Sequence, residues 1–307
     1  MKALLLLILV SFIHSILAQT NDSLQSSKKP IKLLYFKKKM SIRNASLKLK
    51  YHLNKKPKFQ ADSALEKKGW KLTFFDDFDS LDTKKWRIGQ AWGEMHPDNP
   101  HQYYAASEVT TKDGYLYLGG RYKPKQIRFK DSLYTVPYAI GLINTDISFT
   151  QKYGYFEIRS KNPSGPATWP AFWLTGATKW PPEIDIFEMY GGRTGKKIHQ
   201  QYASIHWGKN NTRSMGFLTK KINLPNNSDT VFHIYGCEWQ PEYIRFYTDG
   251  RLVSSIRVNP QLRRWLDEEM VIVINNCFER QFLKYLPEGF TDNQFVVDWI
   301  RVYQKIE

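Results

Sequence analysis

The sequence predicts an all-β fold, a sandwich or jelly roll, and three observations carry that reading. From Trp70 onward, short apolar or alternating runs recur, broken by Gly, Pro, Asn and Asp. Asp113-Gly114 and Asp249-Gly250 lie beside or between such runs, and Asp-Gly favours the two-residue turn of a β-hairpin. No long stretch shows the 3.6-residue apolar period of a helix, and RRWLDEE (263–269) amounts to one short helical turn.

Taken in order, the runs are LTFFDDF (72–78), GYLYLGGRY (114–122), GYFEIRSK (154–161), ASIHWG (203–208), FHIYGCEWQ (232–240), YIRFYTDGRLV (243–253), MVIVIN (270–275) and FVVDWIRVYQ (295–304). β-Branched and aromatic residues dominate them, which suits a pleated, half-buried surface. In GYFEIRSK, Phe156 and Ile158 take one face while Glu157, Arg159 and Lys161 take the other. That charged face suits either solvent or a sugar-binding floor, where Arg and Glu reach several hydroxyls.

Ahead of Trp70 the texture differs. Lys2, the mainly apolar run from Leu4 to Ile16 and the small Ala18 read as a secretory signal peptide over 1–18. That run is short for a membrane span and no second long one follows, so a soluble, secreted protein, extracellular or periplasmic, is expected. Residues 19–67, with clusters such as Lys37-Lys38-Lys39, read as a basic, flexible arm that either touches an acidic surface or is a solvated spacer. Most of the formal charge of +16 sits there: residues 20–68 hold 14 Lys and Arg against 3 acids, whereas 69–307 hold 30 against 26. The near-neutral body is therefore no nucleic-acid binder. Residues 68–307 are expected to form one domain, a monomer. Cys237 and Cys277 could form one disulfide in an oxidising compartment, but both sit in apolar runs and are expected as two buried thiols acting as small hydrophobes. Asn21, Asn44, Asn210 and Asn226 begin Asn-x-Ser/Thr acceptor motifs.

The chemistry concentrates in Pro182-Glu183-Ile184-Asp185-Ile186-Phe187-Glu188. On a strand, Glu183 and Asp185 share a face, but the odd spacing sends Glu188 to the other one. One inserted residue, a β-bulge letting Ile186 and Phe187 share a pairing slot, returns Glu188 to the acidic face. Carboxylates that close cannot all ionise freely, and two with split pKa values are the equipment of a glycosidase. A solvated acidic face or a calcium site would also use such residues. Aromatic residues make up 15% of the chain, including 10 Trp. Trp169, Trp173 and Trp180 flank the acids, where indoles either pack a core or stack on pyranose rings.

Together these segments resemble glycoside hydrolase family 16, the concanavalin A-like jelly-roll endo-glycanases that include laminarinases, lichenases, agarases, porphyranases and κ-carrageenases. The likeness runs from about Trp70 to Tyr303 and rests on LTFFDDFDSLDTKKW (72–86), YGYFEIRSKNPSGPATWPAFWLTG (153–176), EIDIFE (183–188), FHIYGCEWQPEYIRFYTDG (232–250) and VVDWIRVYQ (296–304). It implies an open cleft on a concave face and a retaining endo-β-glycan hydrolase of glucan or algal galactan. Glu183 would be the nucleophile, Asp185 its assistant and Glu188 the acid/base, with the two Glu carboxyls about 5–5.5 Å apart. A non-catalytic sugar-binding jelly roll and a transglycosylase are the alternatives. The resemblance also implies Glu157, Arg159, Trp169, Trp173, Trp180, His206 and Asn275 as substrate-binding residues. No cofactor is needed for the chemistry, but some members hold a structural calcium, here through Asp298 and the Gly114 carbonyl. Pro182 replaces a usual laminarinase Gly, and Asn275-Asn276-Cys277 departs from the laminarinase loop, which raises the galactanase branch. Arg193, Lys196, Lys197, Lys123, Lys125 and Arg128 either meet sulfate groups or are solvated charges.

Overall fold

The structure, a computed structural model, describes residues 69–96, 98–195, 199–208, 216–224, 228–288, 290 and 293–306. The signal segment, the arm, the four Asn-x-Ser/Thr asparagines and Lys196 and Lys197 lie outside the described residues.

The chain runs through β1 (Trp70–Asp76), β2 (Arg87–Ile88), β3 (Gln102–Tyr104), β4 (Val109–Lys112), β5 (Tyr115–Phe129), β6 (Ser132–Ile140), β7 (Leu142–Asn144), β8 (Gly154–Lys161) and β9 (Thr168–Gly176). It continues through β10 (Glu183–Met189), β11 (Gln200–Trp207), β12 (Gly216–Asn223), β13 (His233–Trp239), β14 (Tyr243–Thr248), β15 (Arg251–Arg257), the short helix α1 (Pro260–Trp265), β16 (Met270–Phe278) and β17 (Asn293–Lys305). Two sheets result. One has seven strands in the order β12-β11-β10-β9-β16-β7-β2. The other has ten, along β15-β14-β13-β8-β17-β5-β6-β3 with β1 and β4 attached.

Alternation explains how the two sheets share one core. Ile158 of β8 and Tyr235 and Cys237 of β13 face inward, against Phe172 of β9, Ile184 of β10 and Ile272 of β16. The remaining face of the seven-stranded sheet is free to carry polar groups. Both Asp-Gly pairs make the expected hairpin turns. Asp249 and Gly250 have φ of 50° and 76°, as do Asp113 and Gly114 at 54° and 74°, which is the double positive φ of a type I′ turn. The helix lies slightly earlier than RRWLDEE, because Asn259 accepts from the Leu262 N–H at 2.8 Å and Pro260 occupies the first turn. No helix among the described residues is long and apolar enough to cross a membrane.

The two cysteines separate. Cys237 is wholly buried in the shared core, as expected. Cys277 is half-buried: it packs against the small cluster of Ile140, Ala167 and Phe278 and also lines the polar face with Asn275. Both thiols are free.

Candidate active site

Strand β10 carries the acids, and its pairing contains the irregularity that the spacing of Glu183, Asp185 and Glu188 demands. Against β11, Asp185 pairs with Ser204 and Glu188 with Tyr202, so two residues oppose the single Ala203. Against β9, the register likewise shifts between Asp185 and Phe187. Ile186 and Phe187 are both fully buried in the core, and Phe187 packs on Tyr235 with ring centroids 4.4 Å apart. Two consecutive apolar side chains therefore point inward, and all three carboxyls point outward into a cleft of about 990 Å³.

Each carboxyl has its own partners. Trp180 Nε1 donates to Glu183 Oε2 at 2.9 Å. Trp169 Nε1 donates to Glu188 Oε1 at 2.9 Å, and the Tyr190 hydroxyl also bonds Glu188. His206 Nε2 lies 3.2 Å from Asp185 Oδ2 and 3.6 Å from Glu183 Oε1. Asp185 Oδ2 has no hydrogen-bond donor among the described residues. On the cleft floor Trp173 Nε1 donates to Asn275 Oδ1 at 2.7 Å, and Asn275 Nδ2 contacts Cys277 Sγ at 3.1 Å.

Burial dominates the electrostatics. Loss of water, then the charge of Asp185, pushes Glu183 up to about 8, against the pull of His206 and the Trp180 N–H. Burial, then the charge of Glu188, pushes Asp185 well above the carboxylate range. Glu188 is also raised by burial, while the donors Tyr190 and Trp169 draw it back. The set thus holds protons near neutral pH. Burial beside the charge of Glu188 favours a neutral Asp185. Once it is neutral its charge no longer opposes Glu183, which keeps the Trp180 N–H and His206 as anion-stabilising neighbours. The Cys277 thiol is pushed up to about 12 by burial and stays protonated.

Trp169, Trp173, Trp180 and Asn275 line the cleft with the three acids, and His206 abuts them from β11. Glu157 and Arg159 do not. They sit on β8 of the ten-stranded sheet, alternating with inward-facing Phe156 and Ile158, so their side chains face away from the acids. Arg159 instead pairs with Asp298 and lies 4.5 Å from the Phe232 ring. That pairing also bears on the calcium expectation. Calcium needs six to eight oxygens with net negative charge. Here the Arg159 guanidinium pairs with Asp298, the carboxylate that the resemblance assigns to a structural calcium. Lys125 binds Glu94 at 2.6 Å and Arg193 stacks on Tyr285 at 4.9 Å; neither lines the cleft.

Tyr190, Asn144, Gln102 and Trp92 belong to the site and were not singled out from the sequence. Tyr190 follows Glu188 by two, the same-face spacing of a strand, and that signal was available. The others come from short strands and loops that carry no periodic signal.

A two-sheet sandwich whose tryptophan-walled cleft presents three carboxyls from one bulged strand defines a carbohydrate-active jelly roll. Residues 70–305 match the family model described as β-porphyranase A–D, GH16 domain, and the chain belongs to glycoside hydrolase family 16. The β-glucanase of Rhodothermus marinus is 29% identical over 265 residues, covering 78% of this chain and 86% of that protein. The endo-1,3-1,4-β-glycanase EglC of Rhizobium meliloti is 30% identical over 64% of this chain, which spans 44% of that protein's length. Among solved structures, the laminarinase catalytic domain of Thermotoga maritima superposes with a TM-score of 0.63 at 25% identity, covering 78% of this chain and 99% of that one. Porphyranase B of Zobellia galactanivorans gives a TM-score of 0.64 at 23% identity, covering 78% and 94%.

Proposed function

We propose that this chain is a secreted, retaining endo-β-glycan hydrolase in which Glu183 is the nucleophile, Glu188 the acid/base and Asp185 the assistant. The observation that carries the reading is the bulge at Ile186-Phe187, which brings three carboxyls to one cleft face with separate partners. In the first step, protonated Glu188 gives its proton to the leaving glycosidic oxygen as Glu183 attacks the anomeric carbon; the C–O bond to the leaving sugar breaks and a glycosyl ester forms. In the second, ionised Glu188 takes a proton from water, whose oxygen displaces Glu183 from the same carbon. Neutral Asp185 beside Glu183 limits charge repulsion as the nucleophile leaves and returns. Trp169 and Tyr190 hold Glu188 in place through both steps.

A galactan of the agar or porphyran type is the favoured substrate. The match of the body to the porphyranase-type family model supports it, as do Pro182 and the Asn275-Asn276-Cys277 segment. A β-1,3- or β-1,4-glucan is the second reading, supported by the β-glucanase relatives. The signal-like residues 1–18 support secretion. Released reducing ends from agarose, porphyran, κ-carrageenan, laminarin and lichenan test the proposal. Cleavage of agarose or porphyran is expected, and wild-type protein inert on all five polymers would sink it.

A further inference from the structure

Trp180 reaches Glu183 from a loop, not from a strand. The loop joins the end of β9 to the start of β10, and residues 176–180 line the cleft. The Trp180 indole is 38% exposed, so packing alone does not fix it, yet its Nε1 stands 2.9 Å from Glu183 Oε2. An unsupported loop would lose that geometry to conformational entropy, so the loop needs its own anchors.

One carboxylate supplies most of them. Glu268, in the turn between α1 and β16, meets the two residues just before Trp180. Glu268 Oε1 accepts from the Thr178 N–H at 3.0 Å and from the Thr178 hydroxyl at 2.5 Å, and Oε2 lies 3.1 Å from Lys179 Nζ. Three donors thus converge on a side chain that is only 10% exposed. Burial acts to raise the Glu268 carboxyl, but Thr178 and Lys179 outweigh it and hold the group below the usual carboxylate range, so it is ionised at neutral pH. The turn that carries Glu268 is itself tied down. Asp267 pairs with Lys152, and the Glu269 carboxylate accepts from Thr150 Oγ1 at 2.5 Å. The Glu269 carbonyl accepts from the Ala177 N–H at 2.9 Å. Gly176 N–H donates to Pro182 O at 3.0 Å and closes the loop at its base, where a Cβ on Gly176 would stand 2.3 Å from Lys179 O. The loop therefore has a closed base and a clamped middle, and Trp180 is the next residue along.

We infer that Glu268 is a positioning residue for the nucleophile: by clamping Thr178 and Lys179 it holds the Trp180 N–H on Glu183. The effect on rate rests on the proposed hydrolase reading; the effect on the Glu183 carboxyl does not. The other charged groups around Glu183 are Asp185, Glu188 and His206, and a change at Glu268 leaves all three in the chain. The variants are Glu268→Ala, the milder Thr178→Val, the conservative Glu268→Gln, and Trp180→Phe as the reference. The Trp180 N–H favours ionised Glu183, so its loss raises the pH at which Glu183 ionises. In Glu268→Ala, the acid limb of kcat/KM on the polysaccharide the wild type cleaves should move up by roughly half to one pH unit. Near neutral pH, kcat/KM should fall roughly threefold to tenfold. Thr178→Val should act the same way but less, and Glu268→Gln, which keeps an acceptor for Thr178, should recover most of the loss. Trp180→Phe should give the full displacement, and adding Glu268→Ala to it should move the limb no further. Carboxyl-carbon NMR of isotope-labelled protein, with Glu183 assigned from Glu183→Gln, reads the same displacement without substrate. A Glu183 titration that stays put in both Glu268→Ala and Thr178→Val would overturn the inference, as would full additivity of Glu268→Ala and Trp180→Phe. Wild-type protein inert on all the polymers would instead overturn the hydrolase reading, and the NMR titration would still decide the role of Glu268.

Discussion

Replacing Glu183 by Gln should stabilise the protein, and the gain should grow with pH. Burial raises Glu183 from 4.5 to about 8, so between those values the folded state holds a proton that the unfolded chain has released. Stability falls with rising pH wherever the folded state binds more protons. The contribution of Glu183 is therefore most favourable below about 4.5 and is lost as pH climbs through about 8. The full rise sets a ceiling of roughly 5 kcal/mol. Two features lower it: the side chain borders a solvent-filled cleft, and part of the rise comes from Asp185, which sheds its charge by holding a proton. A gain of ~1–3 kcal/mol at pH 9 is expected, equivalent to a Tm about 2–10 °C higher for a domain this size. Gln keeps the shape, keeps an acceptor for Trp180 and removes the titration. Thermal unfolding at pH 5, 7 and 9 is the assay, with near-equal Tm at pH 5 and the variant ahead at pH 9. A gap that stays flat with pH, or a wild type more stable at pH 9, would refute the reasoning about burial. Activity should be abolished at every pH.

Further predictions concern the supports of the site. Phe187→Ala empties a fully buried position beneath the bulge and should cost about 3–5 kcal/mol, measured by denaturant unfolding. Arg159→Met breaks a buried pair and should cost about 3–5 kcal/mol of stability while leaving kcat/KM at 25 °C unchanged; a loss of kcat/KM would put Arg159 back in the cleft. Trp169→Phe and Tyr190→Phe each remove a donor that holds Glu188 down, so the alkaline limb of the kcat/KM profile should move to higher pH, and a limb that stays put would detach these residues from Glu188.

The acidic strand was legible because parity is a hard constraint. Three acids on one face with an odd spacing require an extra residue, and the only residues available were Ile186 and Phe187. The hairpins at Asp113-Gly114 and Asp249-Gly250 were legible for a similar reason, since few dipeptides tolerate positive φ twice. Parity does not say which of two sheets a strand joins. Glu157 and Arg159 alternate with core residues just as cleft residues on β9 do, and only the pairing of β8 with β13 and β17 assigns them outward. That Cys277 is half-buried and also lines the cleft was not legible, because β16 is covered on both faces and its composition carries no alternation. Trp92 and Asn144 lie on or beside strands two or three residues long, below the length at which periodicity speaks.

The stereochemistry of the first-formed product tests the central claim most directly. Proton NMR of the new reducing end, recorded in the first minutes of hydrolysis of the polysaccharide that the wild type cleaves, separates the two outcomes before mutarotation mixes them. Double displacement through Glu183 with Glu188 as acid/base predicts the β-anomer first, with the α-anomer appearing only later. The α-anomer appearing first would mean single displacement by water and would contradict Glu183 as nucleophile.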